Sequence, residues 1–520
     1  MPIKEQFSSR WGLILASLGM AIGAGNLWRF PRLAGQYGGT FIILWILFLL
    51  IWSIPILLAE FSIGKRYRLG VIGSFASAAG KKYTWMGFFI AGCTLCITFY
   101  YSVVTAWAMN YLGFSIENAY HALTGGTTIS QKLVEDPEFL KAHWTGISSS
   151  SMTTVVLHVV AVIIGAVFLY RGIQNGLEKV NKVLIPLLFG FLILISVLSL
   201  NVGNGIKGFE YMFTIRPELF NDPAVWLEAL TQSAWSTGAG WGLMMTISSY
   251  SRDNEDVSLN IFISGFGNNT ASLVSGMAIL PAVFALAPSE AAAVSHLQAG
   301  NQALTFTIIP KLFAEIPGGA YLAVFFFAAF LIAAFSSLLP MIELFIKLMG
   351  DIGLSRHASA IRAAFFCILF GFPSAYSLDF FSNQDWVWGI GLVVSGMLII
   401  FAALKYGLTK FKRELIDTDS QFSVSSIYFK VCMIINIFLG MTLIWWWMSR
   451  GYDEFPWFDA EGNWNVLSVY SNATIITQWG ALLALGFFLN KFLYKKFKEE
   501  NQKALNPEAK EAENVASLSE

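Results

Sequence analysis

With 520 residues, 56% of them hydrophobic and only 13% charged, and a mean hydropathy of +0.60, the chain is too apolar for a soluble globular protein of its size. It reads as an all-α polytopic membrane protein whose constant partner is the lipid bilayer. Lys plus Arg and Asp plus Glu both number 33, so the net charge is zero, and no basic stripe marks a surface for nucleic acid.

Apolar runs that can each span a bilayer, which takes about 20 helical residues, lie near 11–36, 40–64, 84–113, 152–171, 176–200, 225–250, 257–286, 318–350, 357–373, 385–408, 424–450 and 471–494. Twelve helical crossings result. Loops on the N-terminal side hold sixteen Lys and Arg, from Lys65 to Arg413, against six on the other side, from Lys132 to Arg450. That excess predicts a plasma-membrane protein with both termini in the cytoplasm. The first run begins at Trp11, so it is expected to be retained and not cleaved as a signal. The loop 114–151 is polar, and 287–317 carries a short Ala-rich helix pattern before Gly300. Both are expected over the outer mouth. Residues 497–520 lack an apolar face and read as a solvated tail. Cys93, Cys96, Cys367 and Cys432 fall inside predicted spans, which predicts no extracellular disulfide and makes Cys93-x-x-Cys96 a packing pair.

The first and sixth runs are broken by glycine, in Ala21-Ile22-Gly23-Ala24-Gly25-Asn26 and in Ser236-Thr237-Gly238-Ala239-Gly240-Trp241-Gly242. A helix interrupted at membrane depth frees backbone N–H and C=O groups, tolerable only where they line a cavity or bind something. The breaks lie five spans apart, so the halves carrying them run in opposite directions, as in the inverted repeats of secondary transporters. Asn26, Ser236 and Asn268 add neutral oxygens beside the breaks. Singly, each reads as a helix-gluing polar residue; together they suit a monovalent cation that also uses freed carbonyls. Ser336-Ser337 in the eighth run is weaker by itself, because serines often bond back to their own helix.

The stretch from Trp11 to Pro31, with Gly23-Ala24-Gly25-Asn26-Leu27-Trp28-Arg29-Phe30-Pro31, resembles the first span of the neurotransmitter:sodium symporter family, and specifically its bacterial amino-acid carriers such as the leucine transporter. Similar patterns recur at Gly38-Gly39-x-Phe41, Ile54-Pro55 to Glu60, Arg171-Gly172-Ile173 to Gly176-Leu177-Glu178, and across spans six to eight. The resemblance implies an inverted five-plus-five helix repeat plus two further helices. It divides the chain into an N-terminal segment 1–10, repeats 11–200 and 201–410, spans eleven and twelve in 411–496, and a tail 497–520. It also implies two sodium ions. Ala21, Asn26, Ser236 and Asn268 match the first site, shared with the substrate carboxylate, while Gly19, Ile22, Ala333, Ser336 and Ser337 match the second.

For the substrate, the resemblance implies Tyr101 and the N–H groups of Ala24 and Gly25 at the carboxylate, with Ala21, Gly23, Ile97, Trp235, Ser236, Gly238, Trp241, Ser337 and Met341 forming the pocket. Gly23 stands where monoamine carriers have aspartate, which favours an amino acid, and bulky Trp241 resembles glycine carriers, which favours a small one. Arg29 and Asp385 match an outer gate pair, Lys4 and Asp351 an inner one, with Tyr250 helping to close it and Glu60 bracing the sixth-span break. Gln232, Ser236, Asn268 and Ser272 resemble the neutral donors that hold chloride in animal members. Three positions depart from relatives: Met20 replaces an asparagine of the leucine carrier, Trp45 a tyrosine of chloride-binding members, and Ser272 a glutamate of chloride-independent ones.

The expected activity is sodium-coupled symport of a small neutral amino acid by alternating access, with chloride dependence. The alternatives are a channel or substrate-sensing receptor on the same scaffold, or a carrier of larger amino acids or amines. No enzyme is expected, since the five His residues show no metal-ligand spacing and carboxylates do not cluster at mid-membrane. No pattern in the chain specifies an oligomeric state.

Overall fold

The computed structural model describes residues 5–201, 203–315, 318–449 and 454–499. Among these the only β pairing is an isolated bridge, Phe458 to Trp464, and the rest of the regular structure is helical. Among the described residues, ten helical stretches are long and apolar enough to cross a membrane. The two remaining expected crossings are the two broken ones, each too short in either half to qualify alone. The count of twelve is thus the ten plus these two.

The first crossing starts as a helix at Arg10–Ala21, capped by the Ser9 hydroxyl, which accepts the Gly12 N–H at 3.1 Å. It stops because Ile22 and Gly23 turn extended, and a second helix, Ala24–Phe48, takes over. Asn26 makes that restart possible, its Oδ1 accepting the Gly23 N–H at 3.0 Å. Within this second helix Gly38 has φ +63°, a kink where the first crossing gives way to the next, which runs on through Tyr67. The sixth crossing begins at Pro223–Ser236, with proline in the first turn and Asp222 as cap, and resumes at Leu243–Ser248. Between them Gly238, Gly240 and Gly242 adopt φ of +71°, +93° and +72°, a left-handed conformation that only glycine adopts without strain. Buried Glu60 anchors this link by accepting the Gly240 N–H at 2.6 Å.

The third span, Thr84–Thr124, continues eleven residues past the expected end at 113, and the polar loop after it forms two short helices, Ile129–Glu135 and Phe139–Ser148. Polarity marked this segment as outside the bilayer, yet the helix extends past it because its side chains keep a packed face: Phe114 stacks on His143 at 4.3 Å. In 287–317 the Ala-rich pattern becomes the helix Glu290–Gln298, followed by Gly300. The eighth span, Gly319–Asp351, packs along the third and against the first half-helix, so the breaks and the Ser336-Ser337 pair meet near the centre. All four cysteines are free.

Candidate functional site

A cavity of about 360 Å³ opens between the two broken spans and spans three and eight, and its wall includes Ala21, Gly23, Gly25, Asn26, Tyr101, Trp235, Ser236, Gly238, Trp241, Ser337 and Met341. Residues more than 300 positions apart thus converge. Tyr101 is tied to the first break, its hydroxyl accepting the Ala24 N–H at 3.1 Å. The N–H of Ala24 therefore reaches the pocket through Tyr101, although Ala24 itself is buried behind the wall. A Cβ added at Gly23 would lie 2.8 Å from the Tyr101 hydroxyl and 2.9 Å from Ser337 Oγ, so a larger residue there would have to displace the ends of these two side chains, whereas a Cβ at Gly25 would meet nothing within 4 Å. Trp235 and Trp241 meet edge to face at 5.5 Å and narrow the opposite end. Ile97, expected in the pocket, is fully buried outside its wall. Three residues away on the same helix, Thr94 donates to the Trp241 carbonyl at 2.5 Å and ties this part of the third span to the sixth-span break.

The oxygens expected at two ion sites also converge. Ser337 Oγ lies 3.0 Å from the Gly19 carbonyl and 3.2 Å from that of Ile22, while Ser336 Oγ lies 3.4 Å from Ile22 O and 3.1 Å from Ala333 O. Two hydroxyl protons face more carbonyl acceptors than they can serve, and a small cation among five neutral oxygens would satisfy the whole set. At the other group the Gly23 N–H fixes which end of the Asn26 amide is oxygen, so Asn26 Nδ2 donates to Asn268 Oδ1 at 2.8 Å. That Asn268 oxygen then lies 3.1 Å from Ala21 O and 3.0 Å from Ser236 O. Turning the Asn268 amide over would relieve the crowding but set its NH₂ against the Asn26 NH₂. Three mutually repelling oxygens are the arrangement a cation holds together, and the donor set fits sodium.

Around the same cluster lie the candidate anion donors. Ser272 Oγ accepts from Asn26 Nδ2 at 2.7 Å and Ser236 Oγ from Asn268 Nδ2 at 3.1 Å, which leaves each hydroxyl proton available to donate. Gln232 is buried with both amide atoms unpartnered, as is the indole N–H of Trp45. Buried donors without acceptors are costly, on the order of 1–3 kcal/mol each, and an anion beside Gln232 would relieve its amide.

The gates differ from expectation. Arg29 pairs with Glu228, Nη2 to Oε2 at 3.1 Å, and not with Asp385, whose Oδ1 accepts the Tyr100 hydroxyl at 2.9 Å. All four line the cavity, which continues past them to Trp386, Trp446, Trp447 and Tyr470. The site is therefore reached from the side opposite the N-terminal segment. On the N-terminal side, Lys4 lies outside the described residues, and Asp351 engages Lys347 at 3.2 Å and the Gly70 N–H at 2.5 Å. That side is filled by a cluster of which the sequence reading named only Tyr250. Arg356 holds buried Glu343 with two bonds, at 3.0 and 2.7 Å, and Glu5 at 2.7 Å, while the Tyr250 hydroxyl donates to Glu343 at 2.7 Å. Phe7 is buried beneath it, its N–H on the Tyr250 carbonyl at 3.0 Å. Burial pushes the Glu5 carboxyl above its ordinary value, against the pull of Arg356. The signal available was a carboxylate, Glu343, inside a largely apolar span that ends at Asp351, with Arg356 opening the next helix, but an arginine at a span end reads first as a topology charge.

The chain matches the family model described as sodium:neurotransmitter symporter family over residues 4–477. It is 28% identical over 433 residues to the uncharacterized sodium-dependent transporter YhdH of Bacillus subtilis, covering 79% of this chain and 90% of that one. It is 30% identical over 300 residues to the mouse sodium-dependent neutral amino acid transporter B(0)AT2, covering 52% of this chain and 40% of that longer one. The crystal structure of MhsT in complex with L-phenylalanine aligns with a TM-score of 0.72 and 26% identity, over 85% of this chain and 99% of that one.

Proposed function

Because the chain belongs to the sodium:neurotransmitter symporter family, we propose that it carries a small neutral amino acid together with two sodium ions, in a chloride-dependent cycle of alternating access. The observation that carries the reading is Gly23: with no side chain there, and the Tyr101 and Ser337 oxygens 2.8 and 2.9 Å from where a Cβ would sit, the inner part of the cavity lacks a protein carboxylate for an amine and leaves a carboxylate-bearing substrate to complete the first ion site. The substrate carboxylate would meet the backbone at Gly25 and the Tyr101 hydroxyl, at the positive start of a half-helix. Ala21, Asn26, Ser236 and Asn268 would hold the first sodium, and Gly19, Ile22, Ala333, Ser336 and Ser337 the second. A ligand shared between substrate and ion makes each raise the other's affinity by the same factor, which is the thermodynamic content of coupling. Two cations and a zwitterion bring two net charges into a low-dielectric site, and chloride held by Gln232, Ser236, Asn268 and Ser272 would offset one of them.

Narrowing by Trp235, Trp241 and Met341 supports a small side chain. A second reading, a bulky aromatic substrate, draws on the likeness to MhsT, whose structure holds L-phenylalanine. Competition among glycine, alanine, phenylalanine and tryptophan for sodium-dependent binding decides between them, with glycine or alanine binding tightest on the first reading. Proteoliposome uptake that requires both sodium and amino acid in fixed ratio tests symport itself, and sodium flux without substrate would refute it.

A further inference from the structure

Two carboxylates, Glu228 on the sixth span and Asp385 on the tenth, share one cavity with the Arg29 guanidinium. Arginine stays protonated, so the group carries one positive and two negative charges in a partly buried setting: the Arg29 and Glu228 side chains are only 16% and 14% exposed. Arg29 is joined to Glu228 at 3.1 Å, and Asp385 takes a neutral donor instead, the Tyr100 hydroxyl at 2.9 Å. Arg32, one turn further along, bonds Asn301 at 2.6 Å and Gln36 at 3.2 Å.

We propose that Glu228 is a positioning residue that parks Arg29 while the cavity is open, and that closure transfers Arg29 from Glu228 to Asp385. Glu228 sits one helical turn before Gln232 and two before Ser236, on the half-helix that ends at the sixth-span break. Movement of that half-helix relative to the tenth span therefore changes which acid lies nearer the guanidinium. Exchanging one ion pair for another keeps the Arg29 guanidinium paired in both states, while the acid left over takes a neutral donor, as Asp385 does here from Tyr100, and so avoids a stage in which the buried guanidinium stands alone. The two pairings make the gate bistable, and the difference between them sets the open fraction. This exchange rests on the transport reading above only for its purpose.

The test uses the full-length purified protein carrying Val104→Cys, in the cavity wall one turn from Tyr101, with a bulky maleimide added in sodium without substrate. The protein without the introduced cysteine serves as background. Glu228→Gln should slow labelling roughly tenfold, because Arg29 then pairs with Asp385 and the cavity closes. Glu228→Asp, which retains the charge, should keep most of the rate. Adding Asp385→Asn to Glu228→Gln should restore it, since the closed-state partner is gone, whereas a merely structural role for Glu228 predicts no such recovery. An unchanged rate in Glu228→Gln, or no recovery in the double variant, overturns the exchange. Sodium-dependent amino-acid binding measured on the same unsubstituted protein separates the two readings: its absence with the labelling pattern intact refutes the transport reading and leaves the exchange standing.

Discussion

Ser336→Ala deletes one of the five oxygens expected at the second sodium site without touching the cavity, whose wall includes Ser337 but not Ser336. Its hydroxyl lies 3.1 Å from Ala333 O and 3.4 Å from Ile22 O and is fully buried, so water cannot replace it. A polar contact to a charged group is worth about 1.5–3 kcal/mol, and at about 1.4 kcal/mol per tenfold the sodium affinity should fall by about 10- to 150-fold. Folding should be spared, because alanine is the best helix former. The assay is a sodium titration of radiolabelled amino-acid binding to detergent-purified protein. The sodium midpoint should rise by that factor, while substrate affinity at saturating sodium should change little, since the ion deficit is overcome by concentration. Ser337→Ala should raise the midpoint as well, with an added loss of substrate affinity because Ser337 borders the pocket. A sodium midpoint within twofold of the unsubstituted protein in both variants would show that these convergent oxygens hold no ion.

Four further outcomes follow from the geometry. Tyr101→Phe should weaken substrate binding by about 1.5–3 kcal/mol, read by scintillation proximity, and undiminished affinity removes the hydroxyl from the site. Trp241→Leu should admit larger amino acids, checked by a competition series, because it removes one of the two rings that meet at 5.5 Å. Replacing chloride by gluconate should depress uptake, and Ser272→Glu should restore it by supplying the negative charge from the protein. His143, stacked on Phe114 in the helix Phe139–Ser148, has its imidazole pushed below the ordinary 6.5 by burial, with Lys132 adding to the effect and Glu117 opposing it. The unfolded chain therefore takes up a proton first, so stability should fall as pH drops through 6.5, and thermal melts of His143→Gln should lose that part of the slope.

How far the sequence reached can be seen residue by residue. Apolar length alone determines where a chain can cross a bilayer, which is why the boundaries of most spans were legible, and the glycine clusters at Gly23–Gly25 and Gly238–Gly242 marked the two breaks, although glycine as such does not break a span, since Gly265 and Gly267 sit inside the unbroken helix Val257–Leu286. The first and sixth interruptions and the oxygen of Asn26 beside them follow from those local rules, whereas Ser336 and Ser337 were singled out through the family resemblance. Ile97 and Arg29 show the limit. Whether Ile97 borders the cavity depends on how the third span packs against the sixth-span break, to which Thr94 is bonded across 147 residues, and whether Arg29 meets Glu228 or Asp385 depends on how the sixth and tenth spans lean. Composition and periodicity encode which side chains a helix presents; they do not encode the distance between two helices that meet only after folding. The Arg356–Glu343 pair that Tyr250 joins was hidden for the same reason, since a charge at a span end serves topology equally well whether it points to water or to a buried partner. Spans and breaks were thus determined by local chemistry in the chain, and the pairing of charges around the cavity was decided by tertiary packing, because electrostatic choice between two acids depends on differences of an ångström or two that no sequence spacing specifies.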